Sequence, residues 1–446
     1  MKQSDFNLTA ISPIDGRYRY QTEQLSNYFS EFAVIRYRIQ IEIEYLIALS
    51  KIGVVRKLNA REIKLLESFI NKFDLREAKK VKEIEKITKH EKKALEYYLR
   101  DLLIATSLKD VSEFIHFGLT SDDVTNIIQR IALRDALVNL LLPTVENLNF
   151  DILSNAKTYK TLPMLARTHG QGAVPTTLGK EFLVFNSRLK REIEILRQTK
   201  FLAKLNGAIG NYNALNFTYP KINWQKFSKE FIKNFGLDVN PTTTQIPSYE
   251  DIIFFFQTIQ RINGILLDFN QDMWRYVSDG WFTQENIREK VGSSTMPQKI
   301  NPINFEQSEG NIIIANSLIN AFANKLPVSR LQRDLSDSTV SRNFGVALAH
   351  SFIAYKLAKK GLSRIKANEQ KIKHDLNSDW SILSEAVQIY LKKNGIKNGY
   401  EILKDLTRGQ KMNKEMFTEM INKLPLNIKQ KEELEKLTPE NYLGII

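Results

Sequence analysis

The sequence predicts a mostly all-α protein, and three features carry that expectation. Apolar residues recur at spacings of three and four, as at Phe32, Ile35, Ile39 and Ile43, the period of a helix with one buried face. No proline occurs between Ser248 and Met296, so no ring interrupts a helical ladder there. Within that stretch residues 254–274 are apolar nearly all round, which suits a helix at the centre of a bundle.

The totals narrow the classes further. A chain of 446 residues can bury a large core as two or three domains, or as one long bundle with attachments. The net charge is +14, but the lysines alternate with glutamates, as in residues 79–93 and 429–436. No zinc-finger spacing and no RNA-recognition motif appears. The charge therefore reads as solvated helix faces, with no nucleic-acid partner, and its field favours anionic metabolites. The absence of cysteine excludes disulfides, thiolate metal sites and thiol nucleophiles, and fits a reducing compartment such as the cytoplasm. The N-terminus, Met1-Lys2-Gln3-Ser4-Asp5, has no apolar core of a secretory signal. The most apolar region, residues 252–274, carries Arg261, Asp268 and Asp272. It is expected to be a buried helix and not a membrane span.

In chain order, Ser12-Pro13-Ile14-Asp15-Gly16-Arg17-Tyr18 reads as a turn, with proline presetting one dihedral and Asp-Gly closing the bend. Helical patterns cover residues 31–49, about 60–72 and 81–104. The last carries Thr88-Lys89-His90-Glu91. His90-Glu91 begins a zinc-type HExxH motif, but Ala94 stands where the second histidine belongs, so no metal is expected. Gly118-Leu119-Thr120-Ser121-Asp122-Asp123 has capping hydroxyls followed by first-turn acids, the signature of a helix start. His116 lies close enough to join a site there. Residues 123–149 read as a long helix with a kink or break at Pro143.

Arg167-Thr168-His169-Gly170-Gln171 reads as a polar loop whose histidine can shuttle protons near neutral pH. Gly179-Lys180 lacks the earlier glycine that a phosphate loop needs. A helix is expected over residues 176–204, with loops at 206–213 and 240–245. Gly292-Ser293-Ser294-Thr295-Met296-Pro297-Gln298-Lys299-Ile300-Asn301-Pro302 interrupts the helical chain with a glycine and two prolines. Backbone N–H groups in such a loop form an anion-binding concavity, with Lys299 and Asn301 placed to hold a carboxylate. A helix over residues 307–323 follows. Arg330-Leu331-Gln332-Arg333-Asp334-Leu335-Ser336-Asp337-Ser338-Thr339-Val340-Ser341-Arg342-Asn343 sets three arginines among hydroxyls. That suits a phosphate or several carboxylates, although Asp334 and Asp337 would equally neutralise two of them. Beyond about residue 365 the chain reads as short helices with Lys/Glu faces.

The residue 292–302 loop resembles the S-S-x-M-P-x-K-x-N-P signature of the fumarase/aspartase superfamily, with every fixed position present. The turn at residues 12–18, the R-T-H-G-Q run and the arginine-rich run at residues 330–343 resemble those of the adenylosuccinate lyases within it. Thr88-Lys89-His90-Glu91 is similar to their T-x-H-D segment, except that Glu91 replaces Asp and Lys92 an apolar residue. Gly172 stands where proline is frequent.

The resemblance implies a three-domain, mostly helical subunit with a long central bundle, divided at residues 1–112, 113–364 and 365–446. It implies a homotetramer whose sites each draw on three subunits, and no cofactor. It implies β-elimination of fumarate from a succinylated nucleotide, with Ser293 as base and His169 as acid. Ser294, Lys299, Asn301, Thr120 and Ser121 would hold carboxylates. Arg17, Tyr18, Arg333, Ser338, Thr339 and Arg342 would hold the nucleotide end. Lys89, His90 and Glu91 would lie beside the substrate, and Gln245 and Gln307 would offer amides. Another fumarate-releasing lyase, such as an argininosuccinate lyase, and an inactive helical scaffold that binds nucleic acid remain alternatives.

Overall fold

A computed structural model describes residues 7–285, 296, 299–407 and 411–445. Ser293 and Ser294, expected as base and carboxylate ligand, lie outside the described residues. The chain is mostly helical, and its described strands form three two-stranded sheets. It divides into two compact units. One comprises Met1–Thr144, Ile193–Asn263 and Asn311–Ala354; the other comprises Val145–Glu192, Gly264–Gly310 and Tyr355–Ile446. The helices Leu142–Thr158, Leu178–Arg197, Glu250–Ser278, Ile303–Lys325 and Phe344–Leu362 contribute residues to both.

In the first unit the helix Glu31–Lys51 starts at Ser30, whose hydroxyl accepts from the Ala33 N–H at 3.1 Å. That satisfies a donor the first turn leaves open. Ile35, Ile39 and Ile43 are buried as their spacing predicts, and Phe32 stacks on Phe73 with ring centroids 5.6 Å apart. Asn59 and Glu62 form a reciprocal cap on Ala60–Asn71. Around Glu250–Asn263 the core is aromatic: Phe256, Phe322 and Phe344 are mutually packed at 4.9 to 5.2 Å between centroids. Two buried ion pairs tie this unit together. Arg130 clamps Asp251 through two hydrogen bonds of 2.8 Å. Lys204 Nζ lies 2.9 Å from Asp123 Oδ1, with neither side chain exposed. Charges this deep are tolerated because each is paired.

In the second unit Pro163–Thr168 and Gln171–Thr177 form an antiparallel hairpin. Its C-terminal part has its own core, with Leu383, Val387, Leu391, Phe417 and Ile421 all buried.

Several expectations change. The helix expected over residues 176–204 is Leu178–Arg197, because residues up to Thr177 belong to the hairpin. Pro143 does mark a distortion: a wide π turn at Leu137–Leu141 separates Ser121–Ala136 from Leu142–Thr158. A residue without an N–H leaves a carbonyl one turn back unbonded, and a π bulge absorbs that defect. The helix Glu250–Ser278 passes a length-and-composition test for a membrane span, yet more than half of its apolar window is buried within the protein. It is not apolar all round: Phe254, Gln257, Arg261, Gly264, Asp268, Gln271 and Arg275 form an exposed stripe.

Candidate active site

His169 sits at the tip of the hairpin. Thr168 pairs with Gln171, leaving His169-Gly170 as a two-residue turn. Both have positive φ, +51° and +74°, the signature of a type I′ turn, whose twist matches that of the flanking strands. The segment expected as a loop is thus the sharpest possible strand reversal, and its histidine stands exposed at the apex. Histidine is among the few non-glycine residues enriched at such φ. Below the tip, Arg167 lies over the Trp281 ring at 5.2 Å, which anchors the hairpin on its own unit.

The other described candidates of this unit follow the signature loop. Lys299 is exposed, and its N–H donates to Met296 O at 3.1 Å. Asn301 and Pro302 lead directly into Ile303–Lys325, with Gln307 exposed in its first turns. The backbone before them is tied by Gln284 Nε2 donating to Ile300 O at 2.9 Å.

In the first unit the structure brings together residues far apart in sequence. Thr120 is the N-cap of Ser121–Ala136, and its N–H donates to Asp123 Oδ2 at 2.9 Å. The Ser121 hydroxyl has no partner among the described residues. Asp122, next in the chain, is 1 % exposed and lies 3.5 Å from Arg333. Arg333 Nη1 also donates to Gln245 Oε1 at 3.2 Å. Three separately expected segments therefore meet at one guanidinium, beside a cleft of about 510 Å³ lined by Gln245, Leu331 and Arg333. Ser338 and Thr339 lie on the short helix Ser336–Ser341, and Arg342, its exposed C-cap, follows. Arg17 is exposed and Tyr18 half-buried in the expected turn, which closes through Tyr18 N–H to Pro13 O at 2.8 Å.

The residue 88–92 stretch links two helices. Lys89 takes φ +53° at the end of Leu75–Thr88, and His90 caps Glu91–Ile104 by accepting from the Lys93 N–H at Nδ1, 3.1 Å. A neutral ring accepting at Nδ1 carries its proton on Nε2, so His90 still has a donor for a ligand. Capping and ligand binding are compatible here. Glu91 is otherwise engaged: Oε1 lies 2.6 Å from Arg38 Nη1. Its longer side chain reaches this buried arginine, which makes it an anchor within the protein. Burial pushes its carboxyl up, but Arg38, then Lys92 and Arg342, outweigh that and hold it below the usual range. His116, with φ +61°, places Nδ1 2.6 Å from Glu42. Burial disfavours its charge, but Glu42 more than compensates and raises its pKa.

Sequence reasoning missed Arg38 and Asp122 as parts of this network, whereas Asp337, expected as a neutralising acid, lies 4.0 Å from Arg333. Burial pushes Asp122 up to about 6, against Arg333, Lys204 and Lys92. In sequence it is simply a first-turn acid, and Arg38 is a polar position on an amphipathic helix. Their pairing is tertiary and leaves no local signal.

Comparison with known proteins agrees with these motifs. The family model described as Lyase matches residues 16–314, and that described as Adenylosuccinate lyase C-terminal matches residues 329–443. The adenylosuccinate lyase of Buchnera aphidicola from Acyrthosiphon pisum is 44% identical over 98% of this chain and 97% of its own. That of Legionella pneumophila strain Corby is 45% identical over 98% and 97%. That of Dictyostelium discoideum is 44% identical over 99% and 97%. In fold, the chain resembles a fumarate lyase from Mesorhizobium sp. BNC1, with TM-score 0.78, 18% identity and 95% of each chain covered. It also resembles the β-carboxy-cis,cis-muconate cycloisomerase of Acinetobacter calcoaceticus sp. ADP1, with TM-score 0.74, 19% identity and the same coverage. At that identity the structural likeness speaks for the fold, while the full-length sequence matches decide the family: this chain belongs to the adenylosuccinate lyases.

Proposed function

We propose that the protein eliminates fumarate from adenylosuccinate, giving AMP, and from the related succinylated imidazole nucleotide SAICAR, giving AICAR, in purine nucleotide biosynthesis in the cytoplasm. The observation that carries this reading is the full-length match to adenylosuccinate lyases, joined to a guanidinium-centred anion site and an exposed histidine on a rigid turn. A base removes the proton from the carbon beside one carboxylate of the succinyl group. The charge spreads into that carboxylate, and groups that hold it more tightly than the ground state lower the barrier. The C–N bond then breaks with its electron pair leaving on nitrogen, which takes a proton from the acid.

The acid is assigned to His169 and the base to Ser293. Serine is a weak base in water, so the loop around it is expected to close over substrate first. Ser294, Lys299, Asn301, Thr120 and Ser121 hold carboxylates. Arg17, Tyr18, Arg333, Ser338, Thr339 and Arg342 hold the nucleotide, with Lys89, His90 and Glu91 beside it and Gln245 and Gln307 as amides. No cofactor enters these steps. The subunit is read as three domains, residues 1–112, 113–364 and 365–446, assembling as a homotetramer with each site shared by three subunits. Exposed apolar side chains on the two longest described helices support association: Phe254, Trp274, Ile313 and Ile314 are each more than 40 % exposed in a single chain.

Offering adenylosuccinate and argininosuccinate in parallel tests the substrate. Turnover of the first alone is expected, and turnover of the second alone would overturn the reading. Sedimentation is expected to find no stable monomer, and an active monomer would contradict shared sites.

A further inference from the structure

Lys92 is placed where burial and neighbouring cations together disfavour its charge. It lies in the first turn of Glu91–Ile104, at the positive end of the helix dipole, which disfavours a cation and attracts an anion. It is half-buried. The charges that act on it are Arg38 from Glu31–Lys51, Asp122 from Ser121–Ala136, Arg333 from the arginine-rich segment, and Glu91 beside it on its own helix. Both acids already serve other cations: Glu91 Oε1 lies 2.6 Å from Arg38, and Asp122 Oδ1 lies 3.5 Å from Arg333. Among the described residues Lys92 has no ion-paired acid of its own.

The pairing around it is also imperfect. Arg333 reaches Asp337 only at 4.0 Å, and among the described residues the buried Arg38 Nε, Asp122 Oδ2 and Asp337 Oδ1 find no hydrogen bond. Counting Arg342, which acts on Glu91, four cations share three carboxylates.

We propose that Lys92 is a further substrate-binding residue, whose ammonium takes an anionic oxygen of the nucleotide beside Arg333. The inference rests on the lyase reading above. An arriving oxyanion supplies the acid that Lys92 lacks, offsets the repulsion from Arg38 and Arg333, and meets the favourable end of the helix dipole. A lysine that merely packs its methylenes, with its head in water, would not sense ligand. Burial first, then Arg38, pushes the free Lys92 ammonium down to about 8. An anion beside it favours the charged form. Binding therefore draws in a proton once the pH exceeds that value.

The test is steady-state kinetics on adenylosuccinate with the full-length wild type, Lys92→Met and Lys92→Arg. At pH 7 Lys92→Met is expected to raise KM about tenfold, the scale of one charge-assisted hydrogen bond, with kcat lowered no more than about threefold. Lys92→Arg is expected to stay within about threefold of the wild-type KM. Between pH 8 and 9.5 the wild-type KM should climb towards the Lys92→Met value, by up to about tenfold in all, and the Lys92→Arg KM should climb much less. This pH comparison decides the matter if Lys92→Met fails to fold. A Lys92→Met KM within twofold of wild type, or wild-type and Lys92→Arg pH profiles that coincide, would overturn the proposal while leaving the lyase reading intact. A wild type that turns over no adenylosuccinate would overturn both.

Discussion

Replacing Gly170 by alanine separates the hairpin turn from the histidine it presents. Gly170 has φ +74°, and among the described residues no atom beyond its two chain neighbours lies within 4 Å of where a Cβ would stand. The substitution therefore meets no steric clash, and its cost is conformational. An L-residue in the left-handed region loses about 1–2 kcal/mol. At about 1.4 kcal/mol per decade, the share of molecules with a correctly formed type I′ turn falls by about 5- to 30-fold wherever the turn can relax to another form. The strain sits in one exposed turn, so the global Tm should move by only a few degrees. Because His169 occupies the other half of the same turn, kcat for adenylosuccinate should fall by about 5- to 30-fold. Gly170→Asn should recover most of it, since asparagine tolerates positive φ better than other side chains. The assay is initial-rate kinetics on the three proteins, with circular dichroism melts as a control. A Gly170→Ala enzyme with wild-type kcat, or a Gly170→Asn enzyme as slow as Gly170→Ala, would refute the link between turn geometry and catalysis.

Further outcomes follow from the buried charges. Asp251→Ala strands the fully buried Arg130 guanidinium, which makes two 2.8 Å hydrogen bonds to it. It should cost about 3–5 kcal/mol in urea denaturation, and a loss below about 1 kcal/mol would show that water reaches the pair. Asp122 titrates at about 6 when folded, against an ordinary 3.8. Between those values the folded chain holds more protons than the unfolded one, so this group's contribution to stability falls as pH rises through that window. Asp122→Asn should therefore gain on wild type by about 2 kcal/mol as pH is raised from 4 to 6, measured by denaturation at each pH. A difference that stays constant with pH would contradict the burial argument.

Some of this was legible in the chain. The helical class followed from three- and four-residue spacing, and Ile35, Ile39 and Ile43 are buried as read. The turn at Pro13-Ile14-Asp15-Gly16 and the helix start at Thr120 have local chemistry that leaves few alternatives, and both appear where expected. The distortion before Pro143 follows from a missing N–H. The motifs also led to the family that full-length comparison supports.

What escaped was tertiary. The strands flanking His169-Gly170 contain two prolines and little apolar alternation, so nothing local distinguished a hairpin from a loop. The exposed stripe on Glu250–Ser278 was hidden by the helix's apolar average. Arg38 with Glu91, and Asp122 with Arg333, join residues about 50 and 200 positions apart, and no periodicity encodes such a pairing. The ion pair of Glu91 escaped for that reason: its charge was visible, while the arginine that holds it was not.

If His169 and Ser293 are the acid and base of the proposed elimination, turnover of adenylosuccinate must depend on both. The most direct measurement is the ultraviolet change as purified wild type, His169→Ala and Ser293→Ala each meet adenylosuccinate. The account predicts conversion to AMP and fumarate by wild type, and a loss of about 10²–10⁴-fold in each variant. A folded wild type that leaves adenylosuccinate untouched, or either variant within tenfold of it, would contradict the account.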